Sequence, residues 1–207
     1  MKNTRRLPRR DRASPPFPRT DTHPHALNPD IPHDPTHQDY LERNEVTDRD
    51  DAGVLADGLS KLLKENNAKV CGGALTCASL AVQGSPDLFR QHVPSFLPGV
   101  FDRLGDLKAP VREAAKNLLV SLMELRVTPP ADVLGKQSIG WRHKNWRVRE
   151  ELLRTCEQAF TSANLTDMDD LSVKTTLPQV LNALEDREAG VREAAVAATC
   201  AMAPTAG

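Results

Sequence analysis

Hydrogen-bond donors gather in four short polar stretches of this chain: Asn66, Asn67 and Lys69; Lys108; Arg142, His143, Lys144, Asn145, Trp146 and Arg147; and Arg187. Side chains of these types hold carboxylates and carbonyls through charge-assisted hydrogen bonds, with no covalent step. The residue sets that catalysis needs are missing from the sequence. There is no glycine-rich phosphate loop, no G-x-S-x-G, no H-E-x-x-H and no carboxylate pair beside an acid/base partner. The sequence therefore predicts a binding protein, with neither enzymatic activity nor a cofactor or resident metal.

The elements that position these donors repeat. Residues 97–115 (LPGVFDRLGDLKAPVREAA) and 177–195 (LPQVLNALEDREAGVREAA) match at an offset of 80, with 11 of 19 positions identical. In each copy a Leu-Pro is read as opening a first helix, carried by Val100 and Leu104 or by Val180 and Leu184. A polar turn follows, and a second helix starts at Val111 or Val191, with Ala114, Ala115, Leu118, Leu119 and Leu122 forming a one-faced stripe. Such a hairpin cannot bury its stripe alone.

An offset of 80 is two periods of about 40, the length of HEAT-type helix pairs. Intermediate copies start at Asn67-Ala68-Lys69-Val70 and Trp146-Arg147-Val148-Arg149, so the valines Val70, Val111, Val148 and Val191 are spaced by 41, 37 and 43. The predicted fold class is all-α: an α-solenoid of HEAT-like helical hairpins with about four recognisable repeats. The predicted helices run over about 52–64 with 68–83, 87–104 with 110–126, 130–141 with 146–162, and 170–184 with 189–203. In a solenoid, turns of one kind stack along one edge. The donor-rich turns are all of the kind inside a repeat, so they should form a linear ridge suited to an acidic, flat partner.

Composition sets bounds. Net charge is −1, and residues 51–207 hold 18 Lys+Arg against 19 Asp+Glu, which argues against generic nucleic-acid or membrane attachment. Aromatics are only 4%, so a Leu, Val and Ala core is expected. Cys71, Cys77, Cys156 and Cys200 show no C-x-x-C pairing and read as small buried thiols in a reducing compartment. No apolar run is long enough to cross a bilayer and no secretory segment follows the start, which reads as cytoplasmic.

Two parts are expected: a disordered Pro/Arg-rich tail over 1–50 and a folded domain over 51–204. Between Pro8 and Pro35 lie 8 of the 16 prolines, and the first twenty residues hold seven basic side chains against Asp11 alone. That patch reads as a weak hold on an acidic polymer or as a solubilising tail. His23, His25, His33 and His37 lie in the same tail without a fold to fix metal geometry.

Each donor also has a structural reading. Arg112 and Arg192 follow Asp106 and Asp186 by six residues, suggesting an Asp–Arg ladder between turns. Arg149 follows His143 instead, and Cys71 replaces the arginine in the first repeat. The ladder is expected to break at both places, leaving Arg149 free either to face a ligand or to pair with Glu150 or Glu151. Asn145 suits an N-cap. Trp146 is either a staple to the neighbouring repeat or an outward anchor.

The run W-x-H-K-N-W-R-V-R-E at Trp141–Glu150, set between two copies of L-P-x-V-x-x-x-L-x-D-x-x-x-x-V-R-E-A-A, resembles the N-terminal TOG domain of CLASP proteins. R-L-G-D-x-K-x-x-V-R at Arg103–Arg112 and N-x-K-V at Asn67–Val70 are similar to the same family, and the resemblance covers about residues 53–203. It implies binding of the αβ-tubulin heterodimer or the microtubule lattice, a role in microtubule dynamics, and a cytoskeletal location. The tubulin-facing candidates it implies are Asn67, Lys69, Lys108, Lys144, Asn145, Arg147, Arg187 and Arg192, to which the reading of the bends adds Trp146 and Arg149. TOG domains of this family usually have six hairpins, whereas about four are recognisable here. The alternative reading is a HEAT adaptor that holds other proteins through its helix faces. Neither reading sets an oligomeric state.

Overall fold

The computed structural model describes residues 49–162, 165 and 173–206. The tail expected over 1–50 and its four histidines lie outside the described residues as far as residue 48, and Arg49 already begins a helix. The helices are α1 (Arg49–Leu62), α2 (Ala68–Gly84), α3 (Pro86–Phe89), α4 (Val93–Arg103), α5 (Ala109–Glu124), α6 (Pro130–Leu134), α7 (Trp146–Thr161), α8 (Val173–Ala183) and α9 (Ala189–Met202). Among the described residues there is no strand.

The second helices of the hairpins form one row: α2 packs on α5, α5 on α7, and α7 on α9. The first helices lie against them, α1 on α2 and α4, α4 on α5, and α8 on α9. Each hairpin thus buries its stripe on its neighbours, and Leu75, Leu118, Leu119, Leu152 and Ala195 are fully enclosed. The expected Leu, Val and Ala core also takes in Phe89, Phe96 and Phe101, which are among its largest buried side chains.

Three expectations about the elements need correcting. The Leu-Pro pairs do not open the first helices, because Pro98 lies inside α4 and Pro178 inside α8. The helix expected over 87–104 is two, α3 and α4. Pro94 sits in the first turn of α4, where its missing N–H costs nothing, but its ring would clash with the Arg90 carbonyl of a continuous helix. The helix expected over 130–141 ends at Leu134, with Gly135 extended behind it and a long connection to α7.

That connection is nonetheless fixed. Trp141 donates from Nε1 to the Gly135 carbonyl at 3.0 Å and packs against the core. Gly140 sits so close that a Cβ there would come within 2.6 Å of Leu152 and 3.2 Å of the Phe101 ring. Ring and backbone fill the volume that further helical turns would occupy.

Candidate functional site

The four second helices start by one plan with two chemical solutions. Asn67 caps α2 and Asn145 caps α7, each side-chain oxygen accepting from the backbone N–H two residues on, Lys69 at 2.9 Å and Arg147 at 3.1 Å. Lys108 and Glu188 occupy the same place before α5 and α9 without a capping side chain. Here an aspartate two residues earlier accepts the backbone N–H instead, Asp106 from Lys108 at 2.9 Å and Asp186 from Glu188 at 3.0 Å. His143 does the aspartate's work in the third bend, its Nδ1 accepting from the Asn145 N–H at 3.2 Å. With Nδ1 accepting, the ring proton sits on Nε2, 3.3 Å from the Asp102 carboxylate.

A second set of bonds locks each bend to its own helix. Arg112 donates from Nη1 to the Asp106 carbonyl at 3.0 Å, Arg149 to that of His143 at 2.7 Å, and Arg192 to that of Asp186 at 2.8 Å. Cys71 stands at the matching place in the first repeat, and its thiol donates to the Glu65 carbonyl at 3.0 Å. In all four cases the donor reaches back six residues. This clamp within the bend is therefore present also at the two positions where the Asp–Arg ladder was expected to break.

Bonds of a third kind join successive bends. Arg103 reaches from the second repeat to the Glu65 carbonyl at 3.5 Å while paired with Asp106 at 3.2 Å. Asn145 Nδ2 donates to the Gly105 carbonyl at 3.1 Å, and Arg112 pairs with Glu151 at 3.0 Å. Arg149 grips both carboxylate oxygens of Asp186, at 2.8 and 2.9 Å. The Arg149 hydrogen bond, foremost, holds the Asp186 carboxyl below the ordinary carboxylate range. The bends consequently share one border.

The candidate residues divide on this geometry. Lys69, Lys108, Lys144 and Arg187 are exposed, with no ion-pair partner among the described residues. Asn145 and Arg149 are consumed internally: Asn145 spends both side-chain polar atoms on its cap and on Gly105. Arg149, expected to face a ligand, has a side chain only 12% exposed. Asn67 is exposed but occupied by its cap, and Arg192 is exposed with Nη1 committed to the carbonyls of Asp186 and Arg187. Trp146 is half-buried against the core and carries the Arg147 guanidinium 4.5 Å above its ring.

Between the third and fourth bends lies an open groove of about 460 Å³, lined by Arg142, His143, Lys144, Arg149, Asp186 and Arg187. Its one carboxylate is already held by Arg149, so the exposed Arg142, Lys144 and Arg187 set its charge. Arg103 and Glu151 were missed as organisers of this border because the contacts by which they join bends, Arg103 to the Glu65 carbonyl and Glu151 to Arg112, span 38 and 39 residues of sequence. Two of the four cysteines expected to be buried, Cys77 and Cys200, are exposed. Among the described residues no helix is long and apolar enough to cross a membrane, and no three metal-ligating side chains converge.

No protein-family profile matches the chain. It is 39% identical over 142 residues to the CLIP-associated protein of Arabidopsis thaliana, covering 69% of this chain. It is 37% identical over 147 residues to the CLIP-associating protein of Drosophila melanogaster, covering 70%, and 33% identical over 143 residues to CLIP-associating protein 1 of Xenopus tropicalis, covering 69%. The chain spans about 10% of the length of each of these relatives. In structure it is similar to the MAST/Orbit N-terminal domain, with a TM-score of 0.67 at 29% identity over 81% of this chain and 83% of that one. The TOG domain described for Crescerin superposes with a TM-score of 0.61 at 24% identity, over 76% of this chain and 64% of that one. The TOG domain of Zyg9 from C. elegans gives 0.51 at 19%, over 81% and 74%. These last two bear on the fold alone.

Proposed function

The described helices form a TOG domain of the CLASP type, and from that premise we propose that this chain binds αβ-tubulin, free or in the microtubule lattice, along the border of stacked bends. Its part in microtubule dynamics is recognition by a rigid surface, with no catalytic step. The observation that carries the reading is the asymmetry of the border. Its carboxylates at Asp106, Glu151 and Asp186 are paired inward with arginines, while Lys69, Lys108, Lys144 and Arg187 face water from successive bends. The exposed cations Lys69, Lys108, Arg142, Lys144 and Arg187 outnumber the exposed carboxylates of the bends, Glu65 and Glu185, so the border attracts an acidic partner although the net charge of the chain is only −1.

The bends are also pre-organised. Caps and carbonyl clamps set their backbone before any partner arrives, so association loses little loop entropy. The reading includes a cytoplasmic, cytoskeletal location and a division into a tail over 1–50 and the domain over 51–204.

The test is co-sedimentation of the full chain with microtubules, and its co-elution with free tubulin. Lys144→Glu combined with Arg187→Glu should abolish both while leaving helicity and melting unaltered, because both side chains are exposed. Binding by that variant at the unaltered level overturns the reading.

A further inference from the structure

The residues just ahead of the four helix starts are the tips of the border: Asn66, Leu107, Lys144 and Arg187. Three are polar, as turn chemistry favours. Leu107 is not, and it is 81% exposed. A stray apolar side chain on a surface would mean little. This one is held in place: Arg112 Nη1 donates to the Leu107 carbonyl at 3.4 Å and to that of Asp106 at 3.0 Å. The Asp106 carboxylate fixes the next backbone N–H, that of Lys108, at 2.9 Å. Arg192 applies the same double clamp in the fourth bend, at 2.8 and 3.0 Å, and what it presents there is Arg187. The fold thus displays an apolar tip by the device with which it displays a cation.

We propose that Leu107 is an apolar anchor of the border, seated on binding in an apolar patch that the partner rims with carboxylates for Lys108 and Lys144. This rests on the tubulin reading above and adds to it a specificity-determining contact that charge alone would not supply. A clamped side chain has little backbone freedom left to lose, so most of the gain from covering it appears as affinity. It also sets a condition on the partner: an acidic surface lacking an apolar patch at that spacing should bind weakly.

The experiment uses the full chain and purified αβ-tubulin at two salt concentrations. Leu107→Ser should weaken binding about 10- to 100-fold, the loss expected when one leucine is no longer covered. Its dependence on salt should match that of the unaltered chain, since apolar burial is not screened. Leu107→Met should bind within about threefold of the unaltered chain, and Lys144→Ala should flatten the salt dependence. Full-strength binding by Leu107→Ser, with binding lost in Lys144→Glu/Arg187→Glu, removes the anchor and leaves the tubulin reading standing. Absence of tubulin binding by the unaltered chain removes both. Loss of helicity in Leu107→Ser also overturns the proposal, since an exposed tip should not support the fold.

Discussion

Arg149 and Asp186 meet across the third and fourth bends through two parallel hydrogen bonds, Nε to Oδ2 at 2.8 Å and Nη2 to Oδ1 at 2.9 Å, with Arg149 Nη1 reaching back to the His143 carbonyl at 2.7 Å. One guanidinium therefore closes its own bend and ties it to the next. Both side chains are largely enclosed, at 12% and 14% exposure, so water compensates poorly for a lost partner. Arg149→Leu should lower stability by about 2–4 kcal/mol, as expected when a bonded charge is stranded. Arg149→Lys should recover only part of that, because an ammonium cannot make the two-pronged contact. Urea unfolding of the two variants measures both effects.

The same pair makes stability depend on acid. Asp186 has a folded-state pKa below its ordinary value, chiefly through the Arg149 hydrogen bond. A depressed carboxyl contributes stability that is present above its unfolded-state pKa of about 3.9 and is lost as pH falls through the lower folded value. The stability gap between the unaltered chain and Asp186→Asn should thus be constant from about pH 7 to 5 and shrink below about pH 4. Denaturant midpoints recorded across that range check it, and a gap that widened in acid would contradict the assignment.

Why this pair escaped a reading of the sequence is instructive. The near-identity of the stretches ending in Val111-Arg112-Glu113 and Val191-Arg192-Glu193 makes the hairpin repeat plain. An aspartate six residues before each of these arginines, in the arginine's own bend, suggests an Asp–Arg ladder between turns. What the arginine takes from that bend is a backbone carbonyl, which any residue supplies, so His143 serves as well as Asp106, and in the first repeat the Cys71 thiol takes that of Glu65. The carboxylate partner comes from the next repeat, 39 residues on for Arg112 and 37 for Arg149. Side-chain identity at a fixed local offset carries neither fact. The exposed cations were legible because turns of one kind stack by construction, whereas the early end of α6 depends on how Trp141 and Gly140 fill space.

Thiol chemistry offers an independent check on packing. Cys71 and Cys156 are buried, while Cys77 and Cys200 are exposed on α2 and α9. Burial pushes the Cys156 thiol up to about 12, leaving almost no thiolate near neutrality. With an aromatic disulfide reagent at pH 8, two thiols per chain should react quickly and two only on unfolding. Rapid reaction of all four would show that the hairpins do not stack as described.

Glycines supply a test in which the sign of the effect changes with position. A Cβ at Gly105 would overlap Asn145 Nδ2, which bonds the Gly105 carbonyl, and would come within 2.8 Å of Val148. The second and third bends can touch only because that side chain is missing, so Gly105→Ala should cost about 1–3 kcal/mol. On the proposed tubulin reading it should also weaken binding, by shifting Lys108 relative to Lys144. Gly58 and Gly73 lie inside α1 and α2, and a Cβ at either meets nothing within 4 Å. Alanine at each should stabilise by about 0.5–1 kcal/mol, since the unfolded chain loses freedom and the helix gains a better former. Both effects are within reach of thermal melting on the full chain. A stabilising Gly105→Ala would mean that the second and third bends are not in contact, and the shared border would lose its central joint.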